Sequence, residues 1–246
     1  MVTPLVVHHH LGLGDHFICN GLVRDLAERH ARIVLACKRA SLATVACLYG
    51  DEAAIEPLPI DREPDEVDAF ARRIGAPLLR IGFDACDRAR FDQSFYEQAG
   101  VPFACRWSKF RLPSTIPGEH EMFARLVPQS PYRVVHRETS HGVYALRIDD
   151  AMPTIEIRGR RLADGAFENL LLYRRLIAHA AEVHCINSSV IHLVDSLDAA
   201  QRLVYHDARP RAFQLRRNWE TVPYRARPLR KLLANVGMFS GGGTRR

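Results

Sequence analysis

Hydrophobic positions along this chain fall in short dense runs, separated by longer stretches of mixed polarity. "TPLVVHH" (3–9), "ARIVLACK" (31–38) and "APLLRIGF" (76–83) are apolar runs of strand length, the pattern of strands buried on both faces. Between the first two, Leu22, Val23 and Leu26 share one side of a helix expected over 19–30, since residues three and four apart lie on one helical face. "SLATVACLYG" (41–50) and "EPDEVDAFARRIG" (63–75) read as helices that stop at glycine, and a further short helix is expected over 91–100. "AIEPLPI" (54–60) reads as a third strand, weakened by Pro57 and Pro59, which cannot donate to a ladder.

Residues 101–130 interrupt this rhythm with prolines and aromatics. They read as a connection with one short helix at 119–127 and a boundary near 130. Alternation then resumes. Strands are expected at 132–138, 143–148, 153–159, 182–187 and 202–208, and helices at 167–181 and 188–197. Strands alternating with helices of this length imply parallel pairing. The expected architecture is α/β: two Rossmann-like lobes, 1–130 and 131–215, with a cleft between them and a basic C-terminal helix and tail over 216–246.

Composition narrows the class. The chain has 246 residues, 47% hydrophobic and 25% charged, ordinary values for a globular protein able to bury a core without staples. No apolar run approaches the roughly 20 residues that span a bilayer, and the N-terminus lacks the pattern of a signal peptide. Six cysteines, none in a CxxC pair, read as reduced core thiols of a cytoplasmic protein. Residues 216–246 hold eight of the Arg and Lys and one acid, so they carry +7 of the net +6 and leave −1 on the rest. A basic tail on a nearly neutral body does not read as a nucleic-acid module. Two readings of residues 225–239 stand open: an amphipathic helix packed back on the N-terminal lobe, or a peripheral contact with the inner membrane face.

Candidate chemistry begins at "HHHLGLGDHF" (8–17). A dinucleotide turn needs GxGxxG and an acid at the end of the next strand. Here Gly12 and Gly14 match, but Phe17 stands in the third place and the next strand ends in Cys37 and Lys38. A metal site lacks a spaced ligand set to complete His8, His10 and His16. Asp15 is either a helix N-cap or a general base at the carboxyl end of a parallel strand, where α/β proteins place ligands. Flanking glycines would let the backbone approach that ligand closely.

A second constellation, "EVHCINSSVIHLVDSL" (182–197), repeats strand, polar turn and helix. Ser188 and Ser189 open that helix, where free N–H groups and the helix dipole favour phosphate. His192 lies one turn further on. His136 and Arg137 end one strand, Arg158, Arg160 and Arg161 another, and those arginines could neutralise a diphosphate.

"GLGD" before a helix resembles the N-terminal motif of heptosyltransferase-like glycosyltransferases of the GT-B fold, and "NSSVIHLVDSL" is similar to their C-terminal donor motif. The resemblance covers about 25 residues closely. It implies that Asp15 is the base, that Gly12 and Gly14 shape its loop, and that Asn187, Ser188, Ser189 and His192 bind the donor. It implies inverting transfer from a nucleotide sugar to a saccharide or lipid-linked acceptor, with no metal and no cofactor. The sequence departs from the family pattern at Asn187 for aspartate, Ser189 for glycine and Gly21 for proline, and it is shorter than most relatives. The serine pair is also similar to fucosyltransferase-type GT-B proteins. The alternatives are a non-catalytic nucleotide- or sugar-binding α/β protein and a dinucleotide-dependent oxidoreductase.

Overall fold

A computed structural model describes residues 3–224 apart from 11, 128–129, 200 and 210–211. The first strand, β1 (Leu5–His9), is buried along its length. The helix expected at 19–30 begins earlier, as α1 (Leu13–Ile18), and resumes after Cys19 as α2 (Asn20–Arg29). Then follow β2 (Ile33–Lys38), α3 (Leu42–Leu48), β3 (Ile55–Ile60), α4 (Asp65–Ile74) and β4 (Leu78–Ile81). Together these strands form a parallel sheet in the order β3-β2-β1-β4. The strand with two prolines is therefore real and takes the sheet edge, where a missing donor costs least.

α5 (Phe91–Gln98), α6 (Cys105–Ser108) and α7 (Glu119–Leu126) lead to the second sheet. Its strands are β5 (Arg133–His136), β8 (Thr154–Glu156), β9 (Glu182–Cys185), β10 (Arg202–Asp207) and β11 (Glu220–Pro223), all parallel, in the order β11-β10-β9-β5-β8. Two further strands, β6 (Glu138–Thr139) and β7 (Gly142–Val143), form a small antiparallel hairpin.

Three expectations change here. The strand expected at 143–148 is only its first residue, and 144–149 runs on without regular structure. The end of that segment is held instead by a side chain: the buried Arg133 guanidinium reaches out from β5 to the carbonyl and carboxylate of Asp149. The helix expected at 167–181 is a 3-10 turn (Leu170–Tyr173) followed by α8 (Arg174–Ala178). Residues 216–223 are not tail but strap and strand, since β11 pairs with β10. The amphipathic segment 225–239 lies outside the described residues.

One continuous apolar core runs through both sheets, from Leu5, Val7 and Phe17 to Ile191, Leu203 and Tyr205. Hydrogen bonds also cross between the two parts: Phe167 N–H donates to Ala40 O (2.7 Å) and Leu170 N–H to the Thr44 hydroxyl Oγ1 (2.9 Å). The strongest tie is the strap over 212–219. Gln214 N–H donates to Asp92 Oδ2 (2.8 Å), while Arg106, paired with Asp92, donates to Gln214 O (2.8 Å). A few residues on, the buried Asp195 carboxylate accepts three N–H groups: Arg216 N (2.8 Å), Arg217 N (3.0 Å) and Trp219 Nε1 (2.9 Å). Asp195 belongs to α9 (Ser189–Ser196), so the strap joins the first sheet's helices to the second sheet's.

Gly21, which stands where the family pattern has proline, has a steric reason. It sits in α2 directly beneath the backbone carbonyl of Cys105, and a Cβ there would overlap that oxygen. Helix propensity alone favours alanine over glycine by about 1 kcal/mol. Because the obstacle is backbone, Gly21→Ala is expected to lower stability by about 1–3 kcal/mol instead. Urea unfolding of the two proteins reads the sign directly.

Candidate active site

The order β3-β2-β1-β4 reverses direction at β1, and β11-β10-β9-β5-β8 reverses at β5. Ligands in open parallel sheets bind outside the carboxyl ends of strands at such reversals. The passage from β1 into α1 carries Gly12, Gly14 and Asp15; that from β9, beside β5, into α9 carries Asn187, Ser188 and Ser189. Helices α1 and α9, which open there, pack against one another. At their contact, a Cβ added to Gly14 would lie 3.3 Å from His192 Cδ2 and 3.6 Å from Ser189 Cα.

The two glycines therefore serve close approach within the chain. Gly14 admits α9. Gly12 admits Asp15, whose Oδ2 would stand 2.6 Å from a Cβ at that position. Asp15 is not the N-cap, which is Gly12; it is the third helical residue and folds back to accept a hydrogen bond from the Gly12 backbone. Half-buried there, its carboxyl is raised by desolvation to about 7, with the Gly12 bond and the charge of Lys38 acting in the opposite sense. Desolvation wins because one hydrogen bond and one exposed ammonium replace less than the water removed.

On the opposing side, Ser188 is the extended N-cap of α9, yet its hydroxyl makes no cap bond and its buried Oγ has no hydrogen-bond partner among the described residues. Asn187 O accepts from Arg209 Nη1 (3.4 Å). His192 is buried, its ring against Phe213 at 4.5 Å, and burial lowers it to about 3, so it is a neutral imidazole.

The strand-end cations divide. Arg137 and Arg158 both bind Glu156, Arg137 through Nε at 2.9 Å and Arg158 through Nη2 at 2.7 Å. Their charge is spent on that carboxylate, which departs from the diphosphate role the sequence suggests. His136 is buried and bonds Ile157 O through Nδ1 (2.8 Å), tying β5 to the residue after β8. Two cations escaped sequence reasoning: Lys38, the last residue of β2, and Arg209, just past β10. Both end strands, the criterion that singled out Arg137 and Arg158.

The histidine run is structural. His8 lies 3.7 Å from Glu63, His9 bonds the His10 carbonyl and stacks edge-on with His16, and His10 Nε2 accepts the Phe83 N–H (2.6 Å). Burial lowers His9 to about 4. Among the described residues no three His, Cys, Asp or Glu gather into a metal-holding group.

Solved structures share this fold. E. coli ADP-heptose lipopolysaccharide heptosyltransferase II superimposes with a TM-score of 0.57 over 89% of this chain and 90% of its own, at 12% identity. The fold is the heptosyltransferase fold. A family 9 glycosyl transferase from Veillonella parvula gives 0.57 over 90% and 86% of the two chains, at 12% identity. The iron-containing dodecameric glycosyltransferase TibC of enterotoxigenic E. coli gives 0.56 at 15% identity over 82% of this chain, which spans 58% of TibC. No family model and no curated sequence matches. The heptosyltransferase fold thus persists here at identities where only architecture is comparable.

Asp15 makes a stability test possible. In the unfolded chain its carboxyl loses its proton near the usual carboxylate range; in the folded chain it holds it to about 7. The folded state therefore binds the extra proton between these values, and stability falls as pH rises through that window. Asp15→Asn is expected to match the parent near pH 4 and to exceed it above pH 7, by of order 1 kcal/mol because the carboxyl retains some solvent. Thermal melts across this range would show no such divergence if the carboxyl were ordinary.

Proposed function

We propose that this chain transfers a sugar from a nucleoside diphosphate sugar to a hydroxyl of a saccharide or glycolipid acceptor, with inversion and without a metal. The observation that carries the reading is the meeting of two switch-point loops, one bearing a carboxyl raised to about 7 and the other a helix start with an unpartnered serine hydroxyl. TibC has been solved with ADP-D-β-D-heptose, and the likeness to it supports a nucleotide-sugar donor here.

Asp15 accepts the proton of the attacking hydroxyl. A carboxyl poised near neutrality is a stronger base than one at 4, and is still ionised in useful amount. The acceptor oxygen bonds the anomeric carbon as the carbon–oxygen bond to the diphosphate breaks. The departing oxygens fall to the Ser188 hydroxyl, the first free N–H groups of α9 and the Arg209 guanidinium, fixed donors placed where charge develops. Ser189 and His192 shape that wall, and Lys38 stands beside Asp15 on the acceptor side. Gly12 and Gly14 hold the two loops at this spacing. We assign residues 1–130 to the acceptor lobe and 131–223 to the donor lobe, with the cleft between them. Among the described residues no helix is long and apolar enough to cross a membrane. A cytoplasmic enzyme of cell-envelope polysaccharide synthesis fits this reading, and so does a peripheral contact through 225–239 for a lipid-linked acceptor.

A panel of nucleotide sugars, read by release of nucleoside diphosphate, tests the activity. Asp15→Asn is expected to lower kcat about 10²–10⁴-fold with nucleotide affinity kept. Ser188→Ala is expected to weaken nucleoside diphosphate binding by roughly 1 kcal/mol, about fivefold, without altering the pH profile. Turnover by Asp15→Asn equal to the parent would remove the base from the mechanism.

A further inference from the structure

Beside the α1–α9 contact lies a cavity of about 130 Å³, the size of those that hold one benzene ring. Both parts of the chain build it: Phe17, Trp107 and Phe110 from the first, His192, Ser196 and the strap residue Arg216 from the second. Ser196 follows Ser188 by eight positions along α9, about 12 Å at 1.5 Å per residue, so the cavity reaches well away from the phosphate-facing end of that helix.

What it would hold follows from which groups are already engaged. Arg106, at its wall, is paired with Asp92 and donates to Gln214 O. Arg216 is paired with Asp198. Asp195 accepts its three N–H groups from the strap. Ser196 donates to Leu193 O (2.7 Å). No charge is left to welcome an ion, and a charged guest would have to shed its water for nothing. His192 differs. It is 8% exposed and lines the cavity, and its ring nitrogens find no hydrogen bond among the described residues. Three aromatic side chains and one neutral imidazole without a hydrogen bond among the described residues remain.

We propose that this cavity is a second binding site, for a small uncharged aromatic molecule with one hydrogen-bonding group, seated between Phe17, Trp107 and Phe110 with its polar group on His192. The aromatic faces supply the apolar contact and the preference for a flat guest. The imidazole supplies orientation, donating from one nitrogen or accepting at the other. The Cδ2–Nε2 edge of the same ring faces the place where Gly14 lacks a side chain, so the guest and the cleft share one side chain as a wall.

Calorimetry and ligand-observed NMR on the full chain test this with phenol, benzoate and benzylammonium, guests of nearly one shape and three charges. Phenol is expected to bind saturably, and both ions about tenfold or more weaker. Ser196→Leu, which fills the cavity from the end of α9, is expected to weaken phenol by a similar factor; Phe110→Trp fills it from the other side should the first variant fold poorly. Absence of saturable phenol binding overturns the site. Equal binding by the filled variants places the guest elsewhere, and equal binding of the ions refutes the assigned chemistry. None of these readouts uses turnover, so they stand or fall apart from the transfer reaction.

Discussion

The approach of α1 to α9 is limited by an atom that is missing, the Cβ that Gly14 lacks. With a Cβ there, the ring of His192 would have to withdraw by some tenths of an ångström, and Ser189 Cα would already stand at contact distance. A packed interior does not absorb such shifts locally. The spacing of the two loops, the burial of Asp15 and the position of the Ser188 hydroxyl all follow from that contact. Gly12 plays the matching part on the other side, because only glycine lets the Asp15 carboxylate fold over the start of its own helix.

Burial, not pairing, governs the ionisable groups at this junction. Asp15 is pushed up, and His9, His16 and His192 are pushed down, each chiefly by loss of water. The shifts have opposite chemical sense but one result, a junction poor in formal charge at rest. Elsewhere buried ionisable groups have charged or polar partners: Arg106 has Asp92 and Gln214 O, Arg133 has Asp149, and Asp195 has three strap N–H groups. Removing one member of such a set leaves the others stranded, which costs more than the set contributes.

The sequence makes the helices and strands of the first sheet legible because β1 and β2 are apolar on both faces and α3 and α4 run out at glycine. The Ser188 and Asp15 loops were legible for the same reason: each lies between a buried strand and a helix. Three things were not. Strand 143–148 has the right composition, but its end is held by the Arg133–Asp149 tie, and a pairing that spans 16 positions leaves no local mark. β11 is only four residues with a single charge, Glu220, and its pairing depends on the strap. The engagement of Arg137 and Arg158 depends on Glu156, an acid that alternation places on the same sheet face but that a search for cations passes over. The glycines were read as room for a ligand; in fact each makes room for the chain itself, a distinction that only tertiary contact can draw.

The strap has a consequence for how the molecule comes into being. Asp92 and Arg106 are satisfied by Gln214, which follows them by 122 and 108 residues. During synthesis from the N-terminus, the first sheet and its helices emerge long before that partner exists, with a charged pair still open to water and an apolar flank uncovered. Contacts this distant in sequence close slowly. The chain must therefore spend much of its translation as a partly finished domain, the interval in which exposed apolar surface invites aggregation or a chaperone. A truncation anywhere before Gln214 would make that interval permanent.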